Sequence, residues 1–184
     1  MLKDLFAQNV LVRWLRGDSA QYDLIVSMVG VRLGERLLVA GGGDGRLVAA
    51  LGRKTGLTGR ICAVERDQAT ADAVFDLATK EGVLSDVEVS PLEQLPFEHG
   101  AFDVAVLPAL ADGLPRPTPT MFNEAFRVLR AGGRALVMYL RAEPTGPDAS
   151  DASGTIHQLQ AAGFRAAREL AHRDGIVFFE AIKK

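Results

Sequence analysis

The feature that most narrows the fold is a change of texture near residue 36. Arg36-Leu37-Leu38-Val39-Ala40 is a short apolar run that ends in Gly41-Gly42-Gly43-Asp44-Gly45, and from 46 to 54 Leu47, Ala50 and Leu51 return at helical spacing. A buried strand, a tight glycine loop and a helix therefore follow in order. A strand apolar on both faces needs cover on both, which a parallel sheet between two helix layers supplies. The alternation repeats, with strand 60–65, helix 68–81, strand 87–90 and strand 102–107. Thr118-Pro119 then reads as an N-cap followed by proline at the first helical position. The helix it starts carries Phe122, Ala125, Phe126 and Leu129 and is expected to stop at Gly132-Gly133. A further buried strand spans 134–140, and a polar loop covers 143–153. A short helix through Ile156 and Leu159 ends at Gly163. Two last strands, 165–170 and 176–182, flank the hairpin dipeptide Asp174-Gly175.

Composition fits a single domain over 1–184. The chain has 184 residues, 48% hydrophobic and 24% charged, within the range that one core serves. Leu2, Leu5, Phe6, Val10 and Trp14, then Leu24, Ile25, Met28 and Val29, mark two leading helices within 1–31, available to form a lid over an α/β core from 35 to 184. Twenty-one Lys plus Arg against twenty-three Asp plus Glu give a formal charge of −2. That balance indicates no whole-surface attraction to nucleic acid or to anionic lipid and leaves room only for a local patch. Apolar strings such as Ala135-Leu136-Val137-Met138-Tyr139-Leu140 fall well short of the roughly 18 residues that span a bilayer. The opening Met1-Leu2-Lys3-Asp4-Leu5-Phe6 mixes charge into its apolar residues unlike a secretory leader, so a cytoplasmic protein is expected. Cys62 is the only cysteine and, within Ile61-Cys62-Ala63-Val64, reads as a small buried hydrophobe.

The chemistry concentrates at the glycine loop. Its place after a buried strand and before a helix lets backbone amides and the positive end of the helix dipole face a ligand. Taken alone, the glycines make an ordinary turn. Glu65 lies twenty residues beyond Gly45 at the end of the next strand, where a carboxylate accepts hydrogen bonds from both hydroxyls of a ribose. Taken alone, Glu65 would be a solvated surface acid. A dinucleotide fingerprint, G-x-G-x-x-G, needs glycine at 46 or 48, and the sequence has Arg46 and Val48, which disfavours NAD. His99, His157 and His172 are expected to face solvent and form no recognisable metal cluster with their neighbours.

The G-x-G-x-G of Gly41-Gly42-Gly43-Asp44-Gly45 resembles motif I of the class I S-adenosylmethionine-dependent methyltransferases. Gly59-Arg60-Ile61-Cys62-Ala63-Val64-Glu65 resembles that family's second strand and ribose-binding acid. Leu95-Pro96-Phe97-Glu98-His99-Gly100-Ala101-Phe102-Asp103 resembles the L-P-F-x-x-x-x-F-D run before its fourth strand. Glu124-Ala125-Phe126-Arg127-Val128-Leu129-Arg130-Ala131-Gly132-Gly133 resembles the helix and turn before its fifth. The resemblance covers roughly residues 18 to 184 and is closest to small-molecule members typified by ubiquinone and menaquinone C-methyltransferases. It implies a Rossmann-like, doubly wound sheet of seven strands, mostly parallel with one antiparallel, and helices on both faces.

It also implies S-adenosylmethionine as cofactor, S-adenosylhomocysteine as product and a small-molecule methyl acceptor, with no nucleic acid or membrane indicated as partner. By position, Gly41, Gly42, Gly43 and Gly45 would form the loop against the methionine half of the cofactor, and Glu65 would hold the ribose. Arg66 and Leu92 would lie at opposite faces of the adenine, with the Leu92 amide available to a ring nitrogen. Two of the family's cofactor-site acids are replaced here, by Val39 two residues before Gly41 and by Pro91 after the third strand, with Glu93 a substitute if the loop shifts register. Leu107-Pro108-Ala109 lacks the N-P-P-[YF] pattern of adenine and protein-amide methyltransferases. The resemblance names no catalytic side chain; Asp112 is the nearest acid, and Tyr22 and Trp14 could cover the pocket's open edge. An active methyltransferase and a methyltransferase-like binding or scaffold protein that has lost the cofactor both remain open at this point.

Overall fold

Four consecutive apolar residues, 37–40, leave the first strand no solvent side, and the structure places it in the middle of the sheet. The computed structural model describes residues 19–110, 116–140 and 149–184. Their elements are α1 Ser19–Val29, β1 Arg36–Ala40, α2 Arg46–Thr55, β2 Arg60–Glu65, α3 Gln68–Lys80, β3 Ser85–Val89, β4 Phe102–Ala109, α4 Pro119–Val128, β5 Leu129–Leu140, α5 Ala149–Ala161, β6 Arg165–Arg173 and β7 Ile176–Ile182. The expected first leading helix, with Trp14, and Asp112 lie outside the described residues.

The seven strands run in the order β3-β2-β1-β4-β5-β7-β6. Neighbours from β3 to β5 are parallel, and β7 runs antiparallel to both β5 and β6. This is the doubly wound sheet expected from the alternation. One face packs Leu37, Val39 and Val104 under α1, α2 and α3, with Ile25, Leu51 and Val74 fully buried. The other packs Leu38, Leu107 and Val137 under α4 and α5, with Phe122 and Leu159. No helix among the described residues is long and apolar enough to cross a membrane.

Several boundaries differ from the sequence reading. The fourth helix ends at Val128, not at Gly132-Gly133, because Leu129 turns extended (φ −75°, ψ 142°). The chain from Leu129 is claimed by the sheet, with Leu129 opposite Phe102 and the Gly132 amide donating to the Lys183 carbonyl at 2.7 Å. The third strand starts at Ser85 and stops at Val89; as an exposed edge strand it carries polar residues that hide it from a search for apolar runs. The fourth strand continues through Pro108 and Ala109, paired with Met138 and Tyr139. The last helix begins at Ala149 inside the expected polar loop, and β6 runs on to Arg173. The Asp174-Gly175 hairpin takes positive φ at both residues, as a tight primed turn requires.

The residues behind two of the sequence resemblances hold the frame together. Arg127 donates to the carbonyls of Phe97 (2.6 Å) and Leu95 (2.9 Å), and Glu124 accepts from the Leu95 amide (2.8 Å), so α4 pins the Leu95-Pro96-Phe97 loop. The Arg127 guanidinium holds the Glu124 carboxyl below the usual carboxylate range. Asp103 at the start of β4 accepts from the Arg36 amide (2.7 Å) and pairs with Arg130, tying β1 and β5 to the strand between them. Lys183 is 5% exposed, and its ammonium donates to the carbonyls of Phe126 and Leu129, both at 2.6 Å, capping the end of α4. Lys183→Met leaves these carbonyls without their donor and is expected to cost about 2 kcal/mol. For a chain of this length a thermal melt should shift down by about 6 °C.

Candidate functional site

In a doubly wound sheet the ligand crevice opens beyond the carboxyl ends of the strands where the strand order reverses, here between β1 and β4. The glycine loop leaves β1 at that point. Gly41, Gly43 and Gly45 all adopt positive φ (90°, 64° and 82°), which side chains disfavour. The four glycines nevertheless have different surroundings. A Cβ on Gly45 would stand 2.9 Å from the Cα of Val74, so this glycine lets α2 start flush against α3. A Cβ on Gly42 would meet Val48 at 2.8 Å and the Glu65 carboxylate at 3.0 Å, and one on Gly41 would touch Leu92 at 3.5 Å. A Cβ on Gly43 would meet nothing within 4 Å and would project into open space.

Glu65, the last residue of β2, turns inward rather than into solvent. It is 5% exposed, and its Oε1 accepts a short hydrogen bond from the Gly42 amide. Burial pushes its pKa up to about 7, against the pull of the Gly42 and Gly43 amides and with a smaller push from Asp67.

The turn after β3 supplies the other wall. Gln94 donates to the Pro91 carbonyl at 2.9 Å, and Leu92 between them is 7% exposed against Gly41. Arg66 is exposed and pairs with Glu93 at 3.0 Å, joining the ends of β2 and β3 across the rim. All seven residues singled out in the sequence, Gly41, Gly42, Gly43, Gly45, Glu65, Arg66 and Leu92, thus lie at or just beyond the carboxyl ends of the neighbouring strands β1, β2 and β3. Val39 is fully buried against the α1–α3 layer, where an ionised acid would need a partner. Tyr22 on α1 sits beside the loop. Burial pushes its hydroxyl up to about 12, with Asp44 adding and Arg46 opposing, and the buried hydroxyl makes no hydrogen bond among the described residues.

Sequence reasoning missed a second feature on the same edge. A cavity of about 130 Å³ lies at the end of β5, lined by Arg116, Phe122, Val137, Tyr139, Thr155 and Gln158 among others. Tyr139 stands opposite Ala109 at the end of β4, so the cavity is two strands, or about 10 Å, from β1. Its hydroxyl shares a hydrogen bond with Thr155 (3.1 Å), and the Arg116 guanidinium lies 4.7 Å from its ring centre. No signal marked these residues, because Tyr139 sits in an apolar run and Arg116 in a proline-rich connection. His99, His157 and His172 are exposed as expected. Cys62 is buried, which pushes its thiol up to about 11 and keeps it unreactive. Among the described residues no group of His, Cys, Asp and Glu is placed to hold a metal ion.

The orphaned Tyr22 hydroxyl, the open space at Gly43 and the buried Glu65 carboxyl fit the sugar and chain of an adenosyl cofactor. The fold defines a doubly wound α/β protein whose glycine loop leaves the sheet where the strand order reverses. The chain belongs to the methyltransferase domain family, whose pattern matches residues 38–137. The ubiquinone/menaquinone biosynthesis C-methyltransferase of Idiomarina loihiensis is 31% identical over 142 residues, 75% of this chain and 53% of that protein. The chain thus spans about half the length of the curated relatives it matches. Among solved structures, the S-adenosylmethionine-dependent methyltransferase of Aquifex aeolicus superposes with a TM-score of 0.75 at 17% identity, covering 89% of each chain. The geranyl diphosphate C-methyltransferase of Streptomyces coelicolor, whose structure contains S-adenosyl-L-homocysteine, superposes with a TM-score of 0.66 at 15% identity, covering 96% of this chain and 84% of that one. These likenesses establish the Rossmann-like methyltransferase fold.

Proposed function

We propose that this chain is a single-domain, S-adenosylmethionine-dependent methyltransferase acting on a small-molecule acceptor. The observation that carries the reading is the inward Glu65 carboxyl bonded to the Gly42 amide, next in the chain to Gly43, whose side is open. In this reading, Glu65 accepts from the ribose hydroxyls, and Gly41, Gly43 and Gly45 let the backbone approach the methionine half. Leu92 and Arg66 flank the adenine, with a guanidinium suited to stacking on a planar base. When bound, the cofactor supplies an electrophilic methyl group on a sulfonium.

The chain's own contribution is positioning. The C-methyltransferase relative and the shape of the edge support an acceptor lying over the ends of β4 and β5, where the Arg116 and Tyr139 cavity offers a cationic and an aromatic surface. Holding a nucleophile in line and excluding water supplies much of the acceleration in such a transfer without a covalent intermediate. With Val39 and Pro91 in place of acids, binding relies mainly on Glu65. Each missing hydrogen bond costs about 0.5–1.5 kcal/mol, which weakens the complex without abolishing it.

Calorimetric titration tests the reading. S-adenosylmethionine and S-adenosylhomocysteine are expected to give saturable heats at micromolar concentration, and NAD none. Silence from S-adenosylhomocysteine at high micromolar concentration would overturn it.

A further inference from the structure

Five large apolar side chains are exposed among the described residues, and the three most exposed share one location. Leu33 (80% exposed), Leu57 (102%) and Leu84 (92%) sit on the connections entering β1, β2 and β3, which are neighbours in the sheet. These connections lie at the amino ends of the strands, opposite the crevice.

The loops that carry the leucines are built rather than slack. Gly34 donates to the Thr55 carbonyl at 2.9 Å, Arg60 to the Glu35 carbonyl at 3.2 Å, and Val83 to the Ala78 carbonyl at 2.9 Å. Leu33 packs over Gly56, where a Cβ would come within 2.9 Å of it, so the Leu33 and Leu57 loops form one ledge. Leu84 directly precedes Ser85, which pairs with Ile61 at the start of β2.

The three connections carry a net positive charge. The segments 30–36, 53–60 and 80–86 contain six cations and three acids. Each acid is already paired, Glu35 with Arg134 (2.9 Å), Glu81 with Arg53 (3.0 Å) and Asp86 with Arg60 (2.7 Å). Arg32, Lys54 and Lys80 make no ion pair among the described residues, and each precedes one of the leucines by one to four positions.

We propose that this end of the molecule is a docking surface for a bilayer containing anionic phospholipid, with Leu33, Leu57 and Leu84 entering the acyl boundary and Arg32, Lys54 and Lys80 at the headgroups. Exposed apolar side chains on connections that also carry cations without ion pairs match a surface that is apolar within and negative at its face. The net charge of −2 conceals the patch because the excess is local. Docked this way, the chain keeps its crevice toward water.

Sedimentation of the full chain with phosphatidylcholine vesicles, with and without about a third phosphatidylglycerol, tests the proposal. Binding is expected only with the anionic lipid and is expected to fall at least tenfold near 0.5 M salt, where charges more than a few ångströms apart are screened. The triple variant Leu33→Ser, Leu57→Ser, Leu84→Ser should lose at least tenfold in vesicle affinity while keeping its melting behaviour and S-adenosylhomocysteine titration. The proposal fails if the chain ignores anionic vesicles or if the triple variant binds them as the parent does. It fails equally if sedimentation velocity shows a concentration-dependent dimer that the triple variant abolishes, which would assign the row to a second copy.

Discussion

Replacing Glu65 with alanine is expected to weaken S-adenosylhomocysteine binding by about tenfold to a hundredfold, since hydrogen bonds to a charged group are worth about 1.5–3 kcal/mol. Hydroxyl donors favour the ionised carboxyl. Because burial raises this group to a pKa of about 7, affinity should climb as pH rises through 7, and binding below that pH should release a proton. Titration in buffers of different ionisation enthalpy measures the release directly. Stability should move the other way. Between about pH 4.5 and 7 the folded chain keeps a proton that the unfolded chain has lost, so this group's contribution is present at low pH and lost as pH passes 7. The change amounts to about 3 kcal/mol across the window. Glu65→Gln keeps an acceptor for the Gly42 amide but cannot titrate, and should flatten both the affinity and the stability profiles. A wild-type affinity in Glu65→Ala would remove this residue from the site.

That Glu65 is worth this test was half legible in the sequence. Its place at the end of a strand and twenty residues past the loop could be read along the chain, and so could the strand, glycine loop and helix that define β1 and α2. Its burial could not, because the inward turn depends on Gly42 lacking a side chain exactly where the carboxylate packs. Elements with a strong apolar period were read nearly to the residue, β2 and β7 among them. Those decided by partners were not. The fourth helix ends early because β4 and the Lys183 segment compete for the residues after Val128, and both partners are far away in sequence. The leucine row is invisible for the same reason. Leu33, Leu57 and Leu84 become neighbours only once parallel pairing sets β1, β2 and β3 side by side.

The glycine loop offers a contrast that separates packing from recognition. Gly43→Ala and Gly45→Ala impose the same backbone penalty, about 1–2 kcal/mol for an L residue at positive φ. Their surroundings then split them. At Gly45 the added methyl meets the backbone of α3, with Val74 Cα at 2.9 Å and its carbonyl at 3.1 Å, and a helix cannot yield as a side-chain tip can. The total should reach about 4 kcal/mol once overpacking is included, which lowers the melting midpoint by about 10 °C in a chain of this size. At Gly43 the methyl meets nothing, so the midpoint should fall by no more than about 6 °C. That methyl nevertheless projects into the space proposed for the cofactor and should weaken S-adenosylhomocysteine binding at least tenfold. Calorimetry and thermal melts on the two variants read both quantities. Should Gly43→Ala bind the nucleoside as tightly as the parent, the open side of the loop is not where the cofactor lies.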